Sequence, residues 1–133
     1  LVTSGAPARE AEGYFVKREL NTTLLELSNY QDITDAQYTI NLSPGWNIIS
    51  NPYGKAIKLS DLKVQKGTDA PVSWQDATQN NWIVNAIYYY QGTDWGGTYT
   101  FETDNGGELI PWFGYWVYLR AYDNQYRLII EKP

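Results

Sequence analysis

The chain of 133 residues contains no cysteine, no histidine and no methionine. Without cysteine there are no disulfides, no thiol nucleophile and no thiolate-bound zinc. Without histidine the usual general base and the commonest transition-metal ligand are both missing. Ser–His and Cys–His catalysis and His-bound metal hydrolysis are therefore excluded. Positive charge is scarce: ten Lys and Arg stand against fifteen Asp and Glu, a net charge of −5 with a pI near 4.6. Phosphate recognition needs a basic stripe, whereas these cations sit in acid-mixed stretches such as Lys17-Arg18-Glu19. Nucleic acid is a poor partner on this ground, and so is an anionic membrane surface. No apolar run approaches the ~18 residues of a membrane span, so insertion by an apolar helix is not expected.

What the chain has instead is aromatic side chains: twelve Tyr, six Trp and three Phe. With many Thr, Ile and Val they favour strands over helices. A hydrophobic content of 43 % over this length is enough for one domain with a real core. Residues 36–42 alternate cleanly, with Tyr38, Ile40 and Leu42 on one face and Thr39 and Asn41 on the other. Pro44-Gly45 marks a turn, followed by a strand over 46–50. Leu59 to Leu62 reads as a helical turn before a short strand at 63–65. Ser73 fits an N-cap with Asp76 at the third position, predicting a short helix from Trp74 to about Asn81 that buries Trp74 and Ala77. Residues 82–90 are apolar on both faces, which predicts a central strand. Residues 91–97 read as a glycine-bearing loop around Trp95, and Asp104-Asn105-Gly106-Gly107 as a hairpin turn. Residues 126–131 close the chain as an alternating strand. Trp46, Trp74 and Trp116 are expected in the core or in cross-strand pairs. The fold class is all-β: an antiparallel β-sandwich or partly open barrel of about nine strands with one short helix.

Residues 1–12 form a linker-like N-terminal tail, and 13–133 a single β domain. The chain opens on Leu1, as expected of a processed protein or a cut fragment. Gly13-Tyr14-Phe15-Val16, followed by a strand at 22–27, echoes Gly114-Tyr115-Trp116-Val117, followed by the strand at 126–130. Both read as hairpins. A copied hairpin could take the place of the original in a neighbouring copy, with Tyr14, Phe15, Val16, Leu24 and Leu27 as the inserted side chains. The competing expectation is that 13–28 packs within its own domain.

Three chemistries compete with plain structural roles for these side chains. Exposed aromatic faces stack on sugar rings while nearby amides and acids bond the hydroxyls. Trp95, Trp82 and Tyr90, with Asp94, are the carbohydrate candidates; Tyr88 and Asn81 lie close in sequence. The competing role is core or cross-strand packing. Asp104, Asn105 and Glu108, near Glu102, offer oxygen ligands of the kind calcium takes, although their spacing is not that of an EF-hand and a turn explains them. No other cofactor is expected. No spacing singles out a carboxylate pair of the glycosidase kind, so the chain is not expected to be an enzyme.

The ordered set Ile40-x-Leu42-x-x-Gly45-Trp46-Asn47-x-Ile49-Ser50-x-Pro52, Ser73-Trp74-x-x-Ala77, Ile87-Tyr88-Tyr89-Tyr90 and Leu109-x-Pro111-Trp112-x-Gly114-Tyr115-Trp116-Val117 resembles a known pattern. It is similar to the β-modules bearing Leu-x-x-Gly-Trp-Asn and Gly-Tyr-Trp-Val motifs in secreted and surface proteins of bacteria and archaea. The resemblance spans about residues 36–120. It implies an extracellular or cell-surface, non-catalytic module used for display, adhesion or assembly, with structural aromatics. The expected partners are copies of itself or other surface proteins, with glycans as the alternative.

Overall fold

The structure, a computed structural model, describes residues 34–93 and 96–133. Its strands are β1 (Gln37–Leu42), β2 (Gly45–Ser50), β3 (Ile57–Lys58), β4 (Lys63–Lys66), β5 (Val72–Ser73), β6 (Ile83–Thr93), β7 (Gly96–Glu102), β8 (Glu108–Leu109), β9 (Gly114–Leu119) and β10 (Tyr126–Glu131), with a single α-helix, α1 (Trp74–Gln79), and a 3-10 turn at Leu59–Asp61. The residues of the Gly-Trp-Asn motif explain the first corner. Gly45 has φ +91, a backbone region that side chains disfavour. The Asn47 side chain then locks the turn: Oδ1 accepts from the Ser43 N–H at 2.8 Å, and Nδ2 donates to the carbonyls of Ser43 and Gly45 at 2.8 and 3.0 Å. This corner sends β1 and β2 into different sheets.

Sheet I has the order β1-β10-β4-β5 and sheet II the order β2-β9-β6-β7, while β3 and β8 form a two-stranded ribbon. All strand pairs are antiparallel. Among the described residues each four-stranded sheet keeps two edges, so the fold is an open sandwich of ten strands and not a closed barrel. The core lies between the sheets. Sheet I contributes Leu42, Val64, Tyr126, Leu128 and Ile130; sheet II contributes Ile49, Ile83, Ile87, Tyr115, Val117 and Leu119; Leu59, Leu62, Trp74 and Ala77 close it. Strand β6 is central, paired with β7 and β9, as its two apolar faces require.

The helix follows its local signals closely. Ser73 Oγ accepts from the Asp76 N–H at 3.0 Å and bonds the Asp76 carboxylate at 2.7 Å, and Trp74 and Ala77 are buried. Beyond the C-cap Asn80, the N–H of Asn81 donates to Thr78 and that of Trp82 to Ala77. That paired closure uses a left-handed residue, here Asn81 at φ 61. The helix thus stops two residues short of its expected end.

Three expectations need correction. Residues 91–93 and 96–97 are strand and not loop: β6 and β7 stay in register through Gln91↔Thr98, Gly92↔Gly97 and Thr93↔Gly96. Glycines weaken a strand, but a ladder already held by β6 carries through them. Asp104–Gly107 is a turn, closed by Gly107 N–H to Thr103 O at 2.9 Å, yet it closes no hairpin, because β8 pairs with β3. Nor do β9 and β10 form a hairpin, since they lie in different sheets. The segment 13–28, which echoes the closing segment in sequence, lies outside the described residues. A turn signal marks a reversal, while the sheet a strand joins is set by distant partners.

Outside sheet I the surface is polar, with Lys63 bridging Glu131 at 2.7 Å and Lys66 bridging Asp123 at 2.5 Å. The Lys66 ammonium, and then the Tyr126 hydroxyl at 2.7 Å, hold the Asp123 carboxyl below its ordinary value of 3.8. The same hydrogen bond holds Lys66 above its ordinary 10.5. A depressed carboxyl stabilises the fold above its unfolded pKa and loses that effect as the pH falls through the folded value. Urea midpoints measured from pH 6 to pH 2 (roughly the carboxylate range) should therefore decline more steeply for this chain than for Asp123→Asn. Equal acid sensitivity of the two chains would refute the assignment. The raised Lys66 acts in the opposite window, present below its ordinary value and lost at higher pH.

Candidate functional site

Sheet II has two unlike faces because its strands carry aromatics at alternate positions. The rows that face the core run through Ile49↔Tyr115 and through Asn47↔Val117↔Ile87. The rows between them face outward. One crosses the whole sheet: Ile48 on β2, Trp116 on β9, Tyr88 on β6 and Phe101 on β7. On one side of it stand Trp46 and Tyr118; on the other stand Tyr90 and Tyr99. Trp46 is 54 % exposed, Tyr99 54 % and Phe101 59 %. Among the described residues these outward positions carry no Asp, Glu, Lys or Arg. The outer face of sheet I, by contrast, holds Lys63, Gln65, Arg127 and Glu131.

The rings brace one another. Trp46 meets Tyr118 at 4.9 Å and Tyr88 at 5.3 Å, both edge-on at 77° and 84°. Tyr88 reaches Phe101 at 5.6 Å, and Tyr90 meets Tyr99 edge-on at 5.4 Å. Edge-to-face pairs of this kind hold about 0.5–1.5 kcal/mol each beyond their buried area. Gly97 makes room for Tyr90: a Cβ there would lie 2.5 Å from the phenol ring and 2.6 Å from the Gln91 carbonyl oxygen. Trp46, Tyr88, Tyr99 and Trp116 line a groove of about 450 Å³ across this face. At the end of the sheet, where β9 begins, the connection from β8 exposes more apolar surface, with Trp112 68 % and Phe113 50 % exposed. Trp112 holds φ 71, a strained conformation for a bulky residue.

The structure sorts the sequence candidates. Tyr90, with its neighbour Tyr88, is on the aromatic face. Trp82 is not: it follows the helix stop, packs edge-on to Tyr126 at 5.4 Å, and its carbonyl accepts from the N–H groups of Arg120 and Ala121. Asn81 Oδ1 accepts from Arg120 at 2.8 Å. Trp95 and Asp94 lie outside the described residues, as do Tyr14, Phe15, Val16, Leu24 and Leu27. The calcium candidates have protein partners: Asp104 Oδ1 accepts from Asn85 Nδ2 at 2.8 Å, the Glu108 N–H donates to Glu102 at 3.2 Å, and the Asn105 N–H points to Thr103 Oγ1 at 3.4 Å. No group of three or more acids suited to a cation gathers among the described residues.

Two residues of the site were missed by sequence reasoning. Trp46 and Trp116 were expected in the core or in cross-strand pairs and not at a site; they are cross-strand pairs, Trp46 with Tyr118 and Trp116 with Tyr88, and they line the groove. The signal was present in the alternation: Trp46 shares its parity with Ile48, and the core residue of β2 is Ile49, completely buried. Tyr115, beside Trp116, faces inward; burial pushes its phenol up in pKa, and its hydroxyl accepts from the Ile110 N–H at 2.9 Å. No family model, curated protein or solved structure matches the chain.

Proposed function

We propose that the chain is a non-catalytic structural and interaction module of the cell exterior, assembling with copies of itself or with other surface proteins. One observation carries the reading: the uncharged aromatic outer face of sheet II. A sandwich normally alternates apolar residues inward and polar residues outward. Contiguous apolar patches of this kind mark contact surfaces, and Tyr and Trp are enriched in the interfaces of proteins. The lack of histidine and cysteine and the resemblance to Leu-x-x-Gly-Trp-Asn surface modules support a non-catalytic, extracellular role.

Exchange of the 13–28 hairpin is a route to assembly. Its support is the open edge of sheet I. Strand β1 pairs only with β10 among the described residues, and its inward Ile40 is half-buried. An added strand would pair that edge and bury Ile40 further. The second reading, a carbohydrate-binding module, is favoured by the groove itself, since rings such as Trp46, Tyr88 and Tyr99 stack on sugars. Light scattering and electron microscopy of the full chain test the assembly reading: its mass should rise with concentration above the 15.2 kDa of one copy. A chain that stays monomeric and binds on a glycan array overturns it in favour of the second reading.

A further inference from the structure

We propose that Asn105 is a self-modifying site, at which the chain converts its own asparagine to aspartate and isoaspartate and so loosens the turn between β7 and β8. Asn105 is the one asparagine of the chain followed by glycine. The attacking group in this conversion is the backbone nitrogen of the next residue, and a side chain there would crowd the approach. Gly106 is fixed by the fold. Its φ of +95 lies in a region that other residues disfavour, so the turn that requires glycine also supplies the least hindered nucleophile. An added Cβ at Gly106 would meet nothing within 4 Å, which leaves the approach open to water.

The amide is as accessible as its attacker. Asn105 is exposed. Among the described residues its carboxamide has no hydrogen-bond partner, and its contact to Thr103 Oγ1, at 3.4 Å, uses the backbone N–H. The carboxamides of Asn47, Asn51, Asn81, Asn85 and Asn124, by contrast, are each hydrogen-bonded. One contact opposes the reaction: the Gly106 N–H donates to the Asp104 carbonyl at 2.9 Å. A single bond in an exposed turn opens in local fluctuations that cost much less than global unfolding.

The chemistry balances with water as the only outside reagent. The Gly106 nitrogen bonds to Asn105 Cγ as the bond from Cγ to Nδ2 breaks, and ammonia leaves with the proton that the nitrogen gave up. Water then opens the cyclic imide. Addition at Cγ restores the main chain and leaves aspartate. Addition at the Asn105 main-chain carbonyl carbon leaves isoaspartate, whose main chain is longer by one carbon. That longer path meets a tight neighbour. Gly107 is buried; its N–H donates to the Thr103 carbonyl at 2.9 Å, and its own carbonyl accepts from the Leu59 N–H at 2.8 Å. Even a Cβ on Gly107 would collide with the Thr103 oxygen. An extra main-chain carbon just before it strains these bonds and the β3–β8 ribbon that starts at Lys58↔Glu108.

Timed incubation of the full chain in warm, mildly alkaline buffer made with heavy-oxygen water tests the proposal. Anion exchange should show a growing, more acidic species. Peptide mapping by mass spectrometry should find heavy oxygen entering Asn105 at least ~10-fold faster than any other asparagine. Isoaspartate should accompany aspartate, since hydrolysis of the amide without the imide gives aspartate alone. The isoaspartyl chain should unfold at a lower urea concentration than the unmodified one, whereas Asn105→Asp, with the charge but not the longer main chain, should stay near the wild type. Asn105→Gln, whose larger ring closes more slowly, should show no acidic species on the same timescale. Earlier conversion at another asparagine overturns the proposal, as does conversion without isoaspartate. It is also overturned if Asn105 stays an amide in the folded chain and converts only once the chain is unfolded in urea. An isoaspartyl chain with the unmodified urea midpoint overturns the loosening of the turn.

Discussion

Trp74→Ala should lower the unfolding free energy by about 3–5 kcal/mol, the usual range for deleting a large core aromatic. Trp74 is completely buried between the helix start and the sandwich core. Its indole Nε1 donates to Asn85 Oδ1 at 2.9 Å, and Asn85 in turn donates to Asp104 at 2.8 Å. Truncation leaves a cavity and strips one partner from this chain of bonds. A domain has about 5–15 kcal/mol in total, so the variant loses a large share of its stability. Trp46→Ala removes a side chain of the same kind, yet should cost less, about 1–3 kcal/mol, because only its two edge-on ring contacts are lost. Urea denaturation of the two full-length variants decides the point. Equal losses would show that the outer face is part of the core.

Asn51→Leu should cost about 3–5 kcal/mol, since each buried group left unpaired costs about 1–3 kcal/mol. Asn51 is the one buried polar residue among the described positions, 8 % exposed. Its Nδ2 donates to the carbonyls of Lys55 and Leu109 at 2.7 and 2.8 Å, and its Oδ1 accepts from the Tyr53 N–H at 2.8 Å. These bonds tie the turn after β2 to β8, beside the bridge from Asn51 to Pro111. Leucine fills a similar volume and makes none of them. Asn51→Asp should also destabilise, through a buried carboxylate facing two carbonyls, and should regain stability as the pH falls and that carboxyl is protonated. If Asn51→Leu unfolds at the wild-type urea concentration, the three bonds are not holding the turn.

The two predictions mark where sequence reading succeeded and where it stopped. Trp74 was legible because a helix start is local: Ser73 and Asp76 mark the cap, and the spacing to Ala77 marks the buried side. Trp46 was not, because a tryptophan at a strand entry has the same local pattern whether its face is covered or open. On β6 the run Tyr88-Tyr89-Tyr90 is aromatic at every position. Alternation separates its two faces and cannot rank them when both are apolar. Asn51 was also invisible, since its partners at Leu109 and Pro111 come from nearly sixty residues away.

By itself, then, the sequence determined what depends on neighbours along the chain. It set the all-β class, the helix cap at Ser73, the Gly45–Asn47 corner, the central place of β6, and the lack of cysteine and histidine chemistry. The tertiary structure alone decided which strands share a sheet, and hence that β9 and β10 part company and that 91–93 and 96–97 continue a ladder. It also decided which aromatics meet solvent. The physical reason is that pairing and burial are set by contacts between residues far apart in sequence, and the energy of a side chain depends on what covers it. Trp46, Tyr88, Tyr99 and Trp116 come from four strands, and only the folded sheet places them around one groove.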